Sequence, residues 1–133
     1  MTSRIVATLA ILSLVVATAT AHHAAAGIDR SKTVELKGTI KAFSWQNPHS
    51  WMEVEVASEG KVVTWTVEMT APSYLVRAGW KATTVKPGDE VSVTVRPLKN
   101  GDPGGLFVSV TLADGRTLTE RPVLAQPAAP PAQ

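Results

Sequence analysis

Apolar and polar residues alternate in short runs from Thr33 to Leu118, and this alternation restricts the fold more than any other feature. In the first run, Val34 and Leu36 lie on one side of an extended chain and Glu35 lies on the other. A period of two residues is typical of a strand with one buried face. The sequence therefore predicts a mostly β domain.

Five principal strands are predicted, followed by a short hairpin strand. Gly38, in the middle of the first strand, is predicted to allow a bend. Asp114-Gly115 is typical of a tight turn, whereas residues 100–105 are predicted to be a glycine-rich loop. The five strands are expected at residues 34–45, 49–56, 62–69, 91–95 and 106–112.

A short helix is predicted between the third and fourth strands. Thr70 is expected to be its N-cap, and Pro72 lies in the first turn, where a missing amide proton costs little. Leu75 and Trp80 form an apolar stripe, and Gly79 is expected to end the helix. Five strands with one helix in this position predict a small OB-like β-barrel, with a β-sandwich as the alternative.

The first 21 residues have the features of a secretory signal peptide. Arg4 provides a positive charge, residues 5–16 are mostly apolar, and Ala19-Thr20-Ala21 is a small-x-small cleavage site. The apolar run is too short to be a comfortable membrane span. We therefore expect a periplasmic or secreted protein with no membrane span after cleavage.

The same features divide the chain into four parts. After the signal peptide, an N-terminal arm precedes the barrel domain, and the proline- and alanine-rich end is expected to be disordered. The expected parts are the signal peptide (1–21), the arm (22–32), the barrel (33–120) and the tail (121–133).

Composition excludes several classes of function. The chain has no cysteine, which rules out disulfides, thiolate metal sites and iron–sulfur clusters. Without the signal peptide it carries 12 basic and 11 acidic residues, interspersed along the sequence. This balance gives no support for nucleic-acid binding, which usually shows as a basic patch.

Several motifs together resemble a family of small exported bacterial proteins that is catalogued as a domain of unknown function. The resemblance covers roughly His22 to Leu118 and implies a small exported β-barrel. An aromatic residue that usually follows the paired histidines is replaced here by Ala24-Ala25-Ala26. The motifs are His22-His23, Leu36-Lys37-Gly38-Thr39, Trp45-Gln46-Asn47-Pro48-His49, Trp65-Thr66-Val67-Glu68, Arg77-Ala78-Gly79-Trp80, Lys86-Pro87-Gly88-Asp89 and Val110-Thr111-Leu112-Ala113-Asp114-Gly115.

The three histidines predict a copper site. Cleavage after Ala21 gives His22 a free α-amine beside its imidazole, and Cu(II) prefers such nitrogen ligands. His49 would complete a three-nitrogen histidine brace, with His23 as a substitute ligand. Met52 and Met69 are further candidate ligands. In the simpler interpretation, His22 and His23 belong to a frayed terminus and His49 hydrogen-bonds in a turn.

A metal-free OB-type module that binds a cell-envelope peptide or saccharide is the alternative hypothesis. Trp51 is predicted to point outward, beside a loop that contains Asn47 and Ser50, and an exposed indole can stack on a ligand ring. Enzyme activity is not predicted. Brace-type copper oxidases usually add an axial tyrosine or phenylalanine, and this chain has one Tyr and two Phe.

The carboxylates of the predicted second and third strands have structural explanations. Glu53 and Glu55 lie on the same side of one strand and are expected to form a solvated face. Glu68 directly precedes the apolar Met69, and we expect its carboxylate to form an ion pair with Arg77. Trp65 and Trp80 are predicted to be in the core.

Overall fold

Six strands and one helix form the regular structure of residues 27–121, the part of the chain that the computed structural model describes. The predicted signal peptide, the arm residues His22 and His23, and the tail after Arg121 lie outside these residues. The elements are β1 (Val34–Ser44), β2 (Trp51–Ser58), β3 (Lys61–Glu68), α1 (Pro72–Arg77), β4 (Glu90–Pro97), β5 (Gly104–Leu112) and β6 (Thr117–Thr119).

The first five strands close into a barrel. Their order in the sheet is β3-β2-β1-β4-β5, and β3 also pairs with β5 in parallel, which joins the two ends of the sheet. The other four pairings of the barrel are antiparallel. With α1 between β3 and β4, this confirms the predicted OB-like barrel rather than the β-sandwich. Strand β6 pairs with β5 outside the barrel.

The predicted alternation sends one residue in two into the barrel interior. Closure therefore buries one face of each barrel strand, as a half-buried strand requires. Phe43 and Phe107 lie on two sides of Trp80, with ring centroids 6.0 Å and 5.6 Å from it. Trp65 is partly buried against this core. The completely or almost completely buried strand residues include Ile40, Met52, Val54, Val67, Val93, Val95 and Val110.

Strand β1 contributes to both halves of the barrel by bending. It pairs with β4 from Val34 to Thr39 and with β2 from Thr39 to Ser44, and a bulge shifts the register between Ile40 and Ala42. At Gly38 a Cβ atom would lie 2.1 Å from the backbone oxygen of Glu55. The absence of a side chain there lets β1 and β2 approach closely.

Helix α1 ends as the sequence predicts, but its N-cap is a different residue. Gly79 follows the helix with φ of +90°, as predicted for a C-terminal stop, and Leu75 and Trp80 are buried. The predicted N-cap was wrong: Ala71 is the N-cap, and the backbone N–H of Thr70 donates to Glu120 instead. Within residues 27–121, no helix is long and apolar enough to cross a membrane.

Gly104 and Gly105 belong to a strand, and the prediction that they are merely part of a loop was wrong. They begin β5 and pair with Thr66 and Val67 of β3, where the barrel closes. A Cβ on Gly105 would lie 2.2 Å from the backbone oxygen of Arg96. The glycines are therefore needed where three strands meet.

Candidate functional site

A cleft of about 570 Å³ lies on the outer side of the seam between β3 and β5. One wall comes from the end of β3 and the loop before β2, and the other comes from β5 and the segment that follows β6. The cleft is lined by Arg30, His49, Glu68, Met69, Thr70, Arg96, Leu106, Phe107, Val108, Thr119, Glu120 and Arg121.

The strand register aligns one row of outward side chains, of which Glu68, Leu106 and Arg96 line the cleft and Trp51 lies next to it. Trp51 pairs with Glu68, Glu68 pairs with Leu106, and Leu106 pairs with Arg96. Directly paired residues share a face of the sheet and have Cβ atoms about 5 Å apart. The neighbouring row, which includes Val67, is buried. Four strands thus bring an indole, a carboxylate, an apolar side chain and a guanidinium onto one surface.

His49 and Glu68 form a hydrogen-bonded pair in the cleft. Nδ1–H of His49, in the loop before β2, donates to Oε1 of Glu68 at the end of β3. The side chain of Glu68 is 11% exposed and that of His49 is 51% exposed, so the carboxylate lies beneath the imidazole. The predicted Glu68–Arg77 pair was wrong, because the Arg77 guanidinium lies over the ring of Tyr74, 5.9 Å from its centroid.

The segment after β6 forms a further wall of the cleft. Trp80 donates from Nε1 to the backbone oxygen of Thr119 at 2.8 Å, and the backbone N–H of Thr70 donates to Oε1 of Glu120 at 2.7 Å. Burial raises the pKa of the Glu120 carboxyl, and the Thr70 hydrogen bond and the charge of Arg121 oppose that rise. Residues 119–121 are thereby attached to the barrel.

The N-terminal side of the described chain enters beside the same cleft. Ile28 forms a bridge with Leu98, and the backbone N–H of Lys99 donates to the oxygen of Gly27 at 2.8 Å. Arg30 follows directly, and its backbone oxygen accepts a hydrogen bond from Nη1 of Arg96. Residues 27–30 are therefore fixed along the β4–β5 connection.

The three predicted ligand-binding residues differ in their exposure to solvent. Asn47 is exposed and its peptide bond to Pro48 is cis, whereas Trp51 is half-buried on the outer face. Ser50 is completely buried, and its Oγ has no hydrogen-bond partner in the described part of the chain. Ser50 therefore offers no surface to a ligand in this conformation.

The predicted metal ligands are only partly placed. His22 and His23 lie outside the described residues, and His49 reaches the cleft. Met52 and Met69 are 0% and 2% exposed and belong to the core, so neither thioether is presented to a surface metal. Within residues 27–121 no three histidine or acidic side chains are grouped to hold a metal.

Several cleft residues had no sequence signal that marked them. Glu68 was a candidate in the sequence, but its partner is His49 and not the predicted Arg77. Arg96 continues the alternation of β4, and Arg30, Glu120 and Arg121 lie outside the principal strands. Their common location follows from barrel closure and from the path of the segment after β6.

A model described as a family of unknown function (DUF6152) matches residues 10–108 of the chain. No curated protein and no solved structure matches it.

Proposed function

The chain belongs to DUF6152, a family of unknown function, and we propose that it binds one copper ion through His49 and an N-terminus generated at His22. The α-amine and imidazole of His22 would supply two nitrogen ligands and His49 the third, with His23 as the substitute ligand. The role would be copper carriage or buffering outside the cytoplasm, since this N-terminus requires removal of the predicted signal peptide.

The observation that carries this proposal is the hydrogen bond between His49 and Glu68. Metal-binding histidines usually donate their second ring N–H to a carboxylate or carbonyl, which fixes the ring and raises its basicity. In this chain the bond uses Nδ1. Nε2 would then be the nitrogen that binds copper, on an imidazole that is half exposed.

The path of the arm makes the second half of the site attainable. Gly27 is held next to the β4–β5 connection, and Arg30 lines the same cleft as His49. Gly27 is five positions after His22, and five extended residues span at most about 17 Å. The proposal requires the N-terminal amine to come within bonding distance of the imidazole, and the entry of the chain beside the cleft supports it.

Charge and ligand type favour copper over other metals at such a site. Cu(II) binds nitrogen donors more strongly than the other divalent first-row metals do. A structural zinc site would normally need four protein ligands. Glu68 would partly offset the positive charge that copper brings next to the arginines of the cleft.

Titration with Cu(II) tests the proposal. We expect the protein beginning at His22 to bind one equivalent tightly. One added N-terminal alanine should weaken binding sharply because it removes the chelate of amine and imidazole, and His49→Ala should weaken it as well. Affinity that is unchanged by both alterations would rule out this site.

One observation favours a second candidate function, metal-free recognition of a cell-envelope peptide or saccharide. Trp51 is half-buried on the outer face, directly opposite Glu68 and in line with the cleft. An indole in that position can stack on a ligand ring, and the exposed Asn47 could add a hydrogen bond. Envelope fragments should then alter tryptophan fluorescence in the wild type but not in Trp51→Phe. No response across peptide and saccharide fragments would exclude this role.

A further inference from the structure

Three arginines line the cleft without a carboxylate partner among the described residues. Arg30 precedes β1, Arg96 lies in β4 and Arg121 follows β6, so three separate parts of the chain contribute them. The ion pairs between residues 27 and 121 all involve other side chains. These are Lys32–Asp29, Lys41–Glu53, His49–Glu68, Lys86–Asp89 and Arg116–Asp114.

Arg96 is held in place but keeps most of its hydrogen-bonding capacity. Nη1 donates to the backbone oxygen of Arg30, which ties the guanidinium to the wall of the cleft. A guanidinium has five N–H donors in a fixed planar arrangement, so the remaining ones can contact a ligand. This planar group suits the two oxygens of a carboxylate or phosphate.

The acidic side chains of the cleft are engaged elsewhere. Glu68 accepts from His49, and Glu120 accepts from the backbone N–H of Thr70. Burial also raises the pKa of Glu120, which disfavours its charged form. Three arginines thus face two carboxylates in the cleft, one of which is disfavoured in its charged form, so net positive charge remains for an incoming anion.

The rest of the wall is apolar and the volume suits a small organic molecule. Leu106 and Val108 occupy outward positions of β5 and are partly exposed. The cleft of about 570 Å³ falls within the common range for small-molecule sites, about 300–1,000 Å³. Inorganic ions alone would leave this apolar surface without a contact.

We infer that the cleft binds a small organic oxyanion. Its phosphate or carboxylate group is held by Arg96 together with Arg30 and Arg121, and its carbon skeleton lies on Leu106 and Val108. None of these five residues is a proposed copper ligand, although His49 lines the same cleft, so the test must be made without copper.

Binding of simple probes tests the inference in the presence of a chelator, so that copper takes no part. The protein beginning at His22 would be titrated with phenyl phosphate, benzoate and inorganic phosphate, followed by calorimetry and amide NMR. We expect saturable one-to-one binding of phenyl phosphate or benzoate, tighter than that of inorganic phosphate. The stronger of the two identifies the preferred anionic group. Absence of saturable binding at millimolar concentration overturns the inference.

Charge-matched variants distinguish a built site from general attraction to a positive surface. Arg96→Gln and Arg121→Gln should each weaken binding about tenfold, the loss expected for a hydrogen bond to a charged group. Arg116→Gln removes the same charge from the β5–β6 turn and should change the affinity less than about twofold. Arg121 lies after the last strand, so its variant tests the site without disturbing the barrel. Equal losses in all three variants would overturn the inference.

Discussion

Glu68 fixes how the exposed imidazole of His49 is presented to a ligand. Its carboxylate is almost completely covered and accepts the Nδ1 hydrogen of His49. A buried carboxylate in this position selects one tautomer, the one with its lone pair on Nε2. The chemistry of the loop therefore depends on a residue at the end of β3.

Replacement of Glu68 by glutamine should weaken copper binding without removing a ligand. The amide keeps the size of the side chain but accepts the His49 hydrogen bond less strongly than a carboxylate does, and loss of such a partner typically costs about 10- to 100-fold in metal affinity. Competition titration with a Cu(II) chelator measures the change. Glu53→Gln, a carboxylate of β2 paired with Lys41, is the control and should leave the affinity nearly unchanged. Equal effects of the two changes would contradict the role given to Glu68.

Gly105 should tolerate a methyl group far less well than its neighbour Gly104. In Gly105→Ala the new Cβ would lie 2.2 Å from the Arg96 backbone oxygen, so β4 and β5 must separate, at a cost of about 3 kcal/mol. In Gly104→Ala the nearest atoms are the end of the Leu98 side chain, at 3.1 Å, and the Thr66 backbone oxygen, at 3.2 Å, so a shift of a few tenths of an ångström is enough. The free energy of unfolding of Gly104→Ala should differ from that of the wild type by no more than about 1 kcal/mol. Urea unfolding measures both, and similar losses would contradict this description of the seam.

At the scale of elements, the attachment of the segment after β6 should depend on pH. Glu120 has a raised pKa in the folded state because burial disfavours its charge. The folded protein therefore holds this proton more strongly than the unfolded chain does, and the Glu120 contribution to stability falls as pH rises above about 4. Once Glu120 is ionised in both states, the contribution stays at its lower value.

Glu120→Gln isolates this effect, because the amide oxygen can still accept from Thr70 and carries no charge. The unfolding free energy of the variant minus that of the wild type should increase as pH rises from the ordinary glutamate range and then level off. Urea unfolding at a series of pH values measures the difference. A difference that decreases with rising pH would show that the buried carboxylate is stabilised by ionisation instead.

The strands and the position of the helix were predictable because burial of one face leaves a local pattern. Val91, Val93 and Val95 show it clearly, and all three are buried. The N-cap of α1 was mispredicted by one residue, because Ala71 takes that position without any side-chain hydrogen bond that a sequence pattern could show. The role of Gly104 and Gly105 was missed because a close approach of two backbones leaves no periodic signal.

At the scale of the whole molecule, barrel closure assembles the cleft. His49 was identified from the sequence as a candidate, and the structure places it there. Its partner Glu68 and the arginines Arg30, Arg96 and Arg121 come together through the β3–β5 seam. Such long-range proximity depends on topology and register, so single-sequence patterns could indicate the fold but not the composition of the cleft.

The most direct test of the copper site is to map where Cu(II) sits on the folded protein. Paramagnetic copper broadens the amide NMR signals of residues near it, so substoichiometric Cu(II) would be added to the protein beginning at His22. We predict loss of the signals of His49, Glu68 and Met69 together with those of the first residues of the chain. Broadening confined to residues 23–29, with the signals of the cleft unchanged, would show that copper binds a separate N-terminus and would contradict the proposed site.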